Sequence, residues 1–189
     1  MRCFKCGAFT IFTFCKVCSK ILSNPTTNIR EINGFKIYSF YNYSEIKDLI
    51  TSKHKIHGRY IFNELAKLSF KKFTINFNPK IIINAIPIDD KNTDGYSHTA
   101  ILAKSLKSKQ IKPLFHTLHS TNNITYSGKD LKFRKNNPRN FKLLKNIKNP
   151  VILIDDIVTT GSTIMEAKNF LEKNGVNVLC AIVLSDARY

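Results

Sequence analysis

The apolar positions of this chain fall into short blocks with two kinds of spacing. Lys36-Ile37-Tyr38-Ser39-Phe40-Tyr41 gathers β-branched and aromatic residues in a brief run and reads as a strand. Ile46, Leu49 and Ile50 then recur at helical spacing behind Ser44-Glu45, which predicts a helix opening at that pair. A second helix is expected from Arg59 to Phe70. Ile81 to Ile86 is nearly all apolar and stops at Pro87, the pattern of a strand buried on both faces. His98 to Lys107, with Ala100, Ile101, Ala103 and Leu106, predicts a further helix. Pro113-Leu114-Phe115 is a short apolar piece, and Ser120 to Gly128 reads as a long polar loop of the kind that serves as a lid. Val151 to Ile154 predicts another buried strand, Ser162 to Asn174 a helix stopped by Gly175, and Val176 to Leu184 a last strand. Strands alternating with helices imply a parallel sheet and an α/β fold.

Ahead of that pattern, residues 1–20 are crowded with cysteine and phenylalanine, and Asn24-Pro25-Thr26-Thr27-Asn28 offers turn formers and nothing apolar. The expected division is a four-cysteine finger over 1–24, a linker over 25–34 and an α/β domain over 35–189. Cys3, Cys6, Cys15 and Cys18 form two C-x-x-C pairs, and Gly7 permits the tight knuckle turn after the first. Four thiolates at that spacing suit tetrahedral zinc. Two disulfides are the competing reading, weakened because the first residues lack the apolar segment of an export signal and the chain reads as cytosolic. With every position filled by cysteine, such a zinc is structural. Cys180, inside an apolar strand, reads as a small core residue.

Charge changes the picture next. Lys+Arg 30 against Asp+Glu 13 leaves a formal charge of +17 on 189 residues, which points to a polyanionic ligand. A chain rich in Lys, Asn and Ile owes part of that excess to compositional bias, but the charge is clustered. Between Lys104 and Lys148 there are twelve basic residues and one acidic residue, Asp130. Lys129, Lys132, Arg134, Lys135, Arg139 and Lys142 alternate with Tyr126, Phe133 and Phe141, the mixture with which proteins hold single-stranded nucleic acid. The competing reading is a solvated lysine face over buried aromatics. No run approaches the ~20 apolar residues of a membrane span.

The most informative segment is Val151-Ile152-Leu153-Ile154-Asp155-Asp156-Ile157-Val158-Thr159-Thr160-Gly161-Ser162-Thr163. A buried strand delivers two carboxylates to the carboxyl edge of the sheet, where ligands of open α/β folds bind. The loop that follows offers backbone N–H groups, hydroxyls and a helix N-terminus to one phosphate. Thr159, Thr160, Gly161, Ser162 and Thr163 are therefore candidate phosphate ligands. Asp155 and Asp156 are candidate partners of sugar hydroxyls and the candidate catalytic residues. A plain capped helix, or a carboxylate pair holding magnesium, are the alternatives.

This run resembles the phosphoribosyl pyrophosphate signature of type I phosphoribosyltransferases. Taken with the amino-terminal cysteines, the order of the pieces resembles the competence protein F family over essentially the whole chain. Arg134-Lys135-Asn136-Asn137-Pro138-Arg139-Asn140-Phe141 loosely echoes that family's middle motif. The resemblance implies a cytosolic factor of DNA uptake in natural transformation that binds single-stranded DNA and carries a phosphoribosyl pyrophosphate pocket, with magnesium accompanying the pyrophosphate. It implies a helicase or inner-membrane channel of the uptake apparatus as partner. The alternative is an active phosphoribosyltransferase with an unknown acceptor. Against transfer stands the second loop, Ala85-Ile86-Pro87-Ile88-Asp89-Asp90-Lys91, where two carboxylates are expected to repel pyrophosphate. His98, His116 and His119 read as helix or loop polar residues.

Overall fold

The structure is a computed structural model, and it describes residues 1–77, 79–88, 90, 95–122 and 137–188. Among these, the strands are β1 (Asn28–Ile32), β2 (Phe35–Asn42), β3 (Ile83–Pro87), β4 (Ile111–Pro113), β5 (Leu118–Ser120), β6 (Phe141–Leu143), β7 (Val151–Val158) and β8 (Val178–Asp186). The helices are α1 (Lys16–Leu22), α2 (Tyr43–Thr51), α3 (Gly58–Leu68), α4 (Phe70–Asn76), α5 (His98–Ser105) and α6 (Ser162–Lys173).

The main sheet has the order β1-β2-β8-β7-β3-β4. β1 is antiparallel to β2, and every other pairing is parallel. β7 and β8 lie at its centre and are covered on both faces. Ile152, Ile154, Ile182 and Leu184 pack toward Ile46, Ile61, Phe62, Leu65 and Leu102 of α2, α3 and α5. Val151, Leu153, Ala181 and Val183 pack toward Ile164, Ala167 and Leu171 of α6. Alternate residues of one strand thus feed two separate cores, which is why those strands are apolar at nearly every position. The α/β class with a mostly parallel sheet, preceded by a cysteine cluster, is the expected one.

Several expectations need correction. The stretch 25–34, expected as a linker, contains β1, whose register runs from Asn28 opposite Ser39 to Ile32 opposite Phe35. Asn33 and Gly34, both left-handed, make the two-residue hairpin turn between the strands. The helix expected to reach Phe70 breaks at Ser69, whose backbone (φ −120°, ψ −75°) leaves the helical region, and α4 restarts at Phe70. Ile81 and Ile82 precede β3 and are about half exposed, at 54% and 48%. Of the expected loop from Ser120, the first residue belongs to β5, which pairs with β6 in a separate two-stranded sheet; 123–128 lie outside the described residues. β7 continues through both acids to Val158.

The cysteine finger is not a free appendage. Cys3, Phe14, Cys18 and Leu22 are buried in the same core as Ile46 and Phe62. The Phe4 ring stacks on His57 with centroids 4.9 Å apart, and the buried Tyr41 hydroxyl donates to the Leu22 carbonyl at 2.7 Å. Among the described residues no helix is long and apolar enough to cross a membrane.

Candidate functional site

The two carboxylates at the end of β7 occupy different environments. Asp156, on the face of Ile152 and Ile154, is buried and accepts from Lys53 Nζ at 2.7 Å, with His98 Nε2 3.6 Å away. Burial works against the charged form. The Lys53 ammonium, with help from His98, outweighs it and holds the Asp156 carboxyl well below the usual carboxylate range. Lys53 in turn is raised: burial disfavours its charge, but Asp156 more than compensates. Asp155 Oδ1 accepts the Asp156 amide at 2.9 Å. Burial, then the adjacent Asp156 charge, pushes the Asp155 carboxyl up to about 8, while Arg139 pulls the other way. The surroundings thus favour the charged form of Asp156 and the protonated form of Asp155. This is the environment-driven division of roles expected where two carboxyls share a site.

Beyond β7 the chain turns at Gly161, whose φ of +82° is costly for any residue with a Cβ. A Cβ there would also collide with Cδ1 of Ile32. The Thr160 and Ser162 hydroxyls lie 2.9 Å apart, and the Ser162 amide donates to Thr160 Oγ1 at 3.3 Å. α6 begins at Ser162, so its first-turn amides, which have no acceptor within the helix, open toward the loop. The loop is braced from behind by Arg30 of β1. Its Nη1 donates to the Thr159 carbonyl at 2.5 Å, and its Nη2 to the Thr160 carbonyl at 3.4 Å. Arg30 is itself held by Asp186 at 3.3 Å, which also binds Arg188. Arg30 thus occupies the Thr159 and Thr160 carbonyls and ties the loop to β1.

Sequence reasoning picked out the acid pair and the loop but missed Lys53, Arg30 and Ile32, and it read His98 as an ordinary polar residue. A lysine among thirty basic residues carries no local signal, and Arg30 and Ile32 sit in the stretch read as a linker.

Of the basic set, Lys129, Lys132, Arg134 and Lys135 lie outside the described residues, as do Tyr126 and Phe133. The positive charge of Arg139 acts to lower the Asp155 carboxyl, against the larger raising effects of burial and Asp156. Lys142 is exposed on β6 opposite His119. Phe141 is buried at 7% exposure and faces Phe170 of α6, so it is core and not a platform for a base. In the second loop, Asp89 lies outside the described residues. Asp90 departs from the expectation that it faces pyrophosphate: it is buried, and its oxygens engage the His116 amide at 2.7 Å and His119 Nε2 at 2.9 Å.

The four finger cysteines converge so that their sulfurs all lie within 4.8 Å of one another. Gly7, at φ +77°, closes the first knuckle with its amide on the Cys3 carbonyl at 2.9 Å. The Cys15 amide donates to Cys3 Sγ at 3.3 Å. Burial opposes ionisation of Cys3, but this and neighbouring amides bring its thiol down to about 6. Burial and the surrounding sulfurs push Cys18 up to about 12. A cation bound among them would reverse that second shift, and four soft donors with no open position suit a structural metal such as zinc.

No protein-family profile and no curated protein matches the chain. Among solved structures it is similar to a hypoxanthine phosphoribosyltransferase from Staphylococcus aureus, at 17% identity and a TM-score of 0.40. The match covers 66% of this chain and 62% of that one, so the chain spans less than two thirds of that protein's length.

Proposed function

We propose that the chain binds phosphoribosyl pyrophosphate as its magnesium complex and serves DNA uptake in natural transformation, with zinc in the cysteine finger. The observation that carries the ligand reading is the Thr159–Thr163 loop. It enters α6 with its carbonyls held by Arg30 and has an acid pair directly behind it on β7. The loop suits a phosphate group, and the carboxylates suit the neighbouring ribose hydroxyls. Calorimetry with phosphoribosyl pyrophosphate and magnesium is expected to show saturable heat, absent in Gly161→Val. No heat from the folded wild-type chain overturns the ligand reading.

The nucleic-acid part rests on the basic stretch between Lys104 and Lys148 and on the resemblance to the competence protein F family. Lys129, Lys132, Arg134, Lys135, Arg139 and Lys142 are its candidate contacts. If about four phosphates are contacted, single-strand affinity falls with salt at a log–log slope of roughly −3. Replacing Lys132, Arg134 and Lys135 together is expected to flatten that slope for every base composition; an unchanged slope places the surface elsewhere. The exposed Phe9, Ile11 and Val17 on the outside of the finger support a protein partner at that end, with a helicase or membrane channel of the uptake apparatus as the proposed class.

A second reading, ribosyl transfer, is favoured by Asp90. Its charge is engaged by His116 and His119, which removes part of the repulsion expected against pyrophosphate. In that reaction the bond from the ribose anomeric carbon to pyrophosphate breaks, a nitrogen of the acceptor bonds to that carbon, and the nitrogen's proton passes to a base. Asp155, titrating near neutrality, is the candidate for that proton. Pyrophosphate release on adding an amine or base acceptor, lost in Asp155→Asn, would establish transfer.

A further inference from the structure

Asp90 lies three residues beyond the end of β3, and His116 three beyond the end of β4. The two strands are parallel neighbours, so both residues stand at the carboxyl edge of the sheet, and His119 joins them from β5. The Asp90 side chain has no exposure to solvent, and the His119 ring is 22% exposed. His119 Nε2 is 2.9 Å from Asp90 Oδ1, and His116 Nδ1 is 3.9 Å from Asp90 Oδ2. One donor atom from each of the three residues lies within 4.8 Å of the other two. The imidazole rings approach at 78°, with centroids 6.0 Å apart, so they reach the carboxylate from different directions. His116 has φ +51°, a left-handed backbone that turns both its amide and its ring to the same carboxyl group. The Lys145 ammonium donates to the Phe115 carbonyl at 2.7 Å and braces the turn.

We propose that Asp90, His116 and His119 form a second metal site, separate from the cysteine finger, that takes a divalent transition ion of the zinc class. Two imidazoles and a carboxylate are the donors that such ions prefer, whereas magnesium and calcium favour oxygen throughout. Bonds of about 2.0–2.2 Å to a tetrahedral ion place its ligands about 3.3–3.6 Å apart. The donor atoms here already lie within 4.8 Å of one another, His119 Nε2 at 2.9 Å from Asp90 Oδ1 and His116 Nδ1 at 3.9 Å from Oδ2, so binding requires the first pair to open slightly and the second to close, and the His116 side chain, 67% exposed, has room to move. Three protein ligands leave a coordination position for water or an anionic oxygen. The ion therefore joins the loops after β3 and β4 and presents net positive charge at the same sheet edge as the phosphate loop. The inference stands on these three residues alone, whether or not the phosphate loop takes a phosphoribosyl ligand.

The test uses the full chain loaded with zinc, dialysed and subjected to elemental analysis beside the His116→Ala/His119→Gln double variant. The variant is expected to hold one equivalent less, about one against about two when the finger is also filled. Cobalt titration gives an independent readout: the second equivalent in the wild type adds d–d absorption without thiolate charge transfer. His116→Ala, at an exposed ring, is expected to weaken that cobalt step by more than the roughly 10–100-fold lost when only a hydrogen bond orienting a ligand is removed. Equal metal content in the folded wild type and double variant, or cobalt absorption arising from thiolate ligation alone, would overturn the site.

Discussion

The cysteine finger and the Thr159–Thr163 loop are both short motifs, yet they are built on opposite plans. All four sulfurs of the finger come from sixteen consecutive residues, Cys3 to Cys18, and the turns that converge them are set by Gly7 and its neighbours. The loop at Thr159–Thr163 is held by residues far away in sequence. Arg30 reaches its carbonyls across 129 positions, Ile32 presses on Gly161, and Lys53 neutralises Asp156 across 103. A local metal cage needs only its own spacing. A loop on a sheet edge, proposed above as the phosphate site, depends on the rest of the fold to offset its acids and engage its carbonyls.

The largest effect is expected in the finger. Cys15→Ser removes one of four ligands, and binding energies on the order of 10 kcal/mol are at stake in such sites. Because Cys3, Phe14, Cys18 and Leu22 share a core with α2 and α3, the loss is expected to spread and lower the melting temperature of the whole chain. A fully retained melting transition would show that the finger is as independent as its local plan suggests.

Next in size is Lys53→Met, which strands a buried carboxylate at a cost of about 3 kcal/mol at neutral pH. The depressed Asp156 carboxyl contributes stability above its unfolded value of 3.8 and loses it as pH falls through the lower folded value. The variant's deficit in denaturant melts is therefore expected to be full at pH 7 and to shrink below about pH 4. A deficit independent of pH would remove Lys53 from the site.

Gly161→Ala is expected to cost about 1–2 kcal/mol from the left-handed backbone and more from the clash with Ile32. Adding Ile32→Ala should return the clash portion only, which a double-mutant cycle on stability measures. Full additivity would mean that β1 does not shape the loop.

Asp155→Asn is expected to act in the opposite direction, stabilising the chain at higher pH. With its folded pKa raised to about 8, Asp155 binds its proton more tightly when folded, so wild-type stability declines as pH rises from 3.8 toward that value. The variant is expected to match the wild type near pH 4 and to melt at a higher temperature than it near pH 8, read from thermal melts across that window.

How much of this was legible follows from how far each contact reaches. Helical spacing in α2 and α5 and the glycine stop after α6 are properties of neighbouring residues, and they were readable. Ser69 was not. A serine inside an amphipathic pattern carries no break signal, and its buried hydroxyl instead bonds the Leu65 carbonyl at 2.7 Å where the helix ends. β1 was invisible for a related reason. Asn28, Arg30 and the turn at Asn33-Gly34 are polar, and the segment becomes a strand only because β2 offers it an edge to pair with.

The sequence by itself determined the four-sulfur cage, the buried strand that ends in two acids and the loop that enters a helix, because each is written in residues a few positions apart. Tertiary structure alone decided that Asp156 is charged and Asp155 titrates near neutrality, since the two differ only in what stands against them. It decided likewise that Asp90 turns inward to two histidines. A carboxyl's ionisation and aim depend on dielectric and on charges within a few ångströms, and those neighbours arrive from strands and loops that local spacing does not connect.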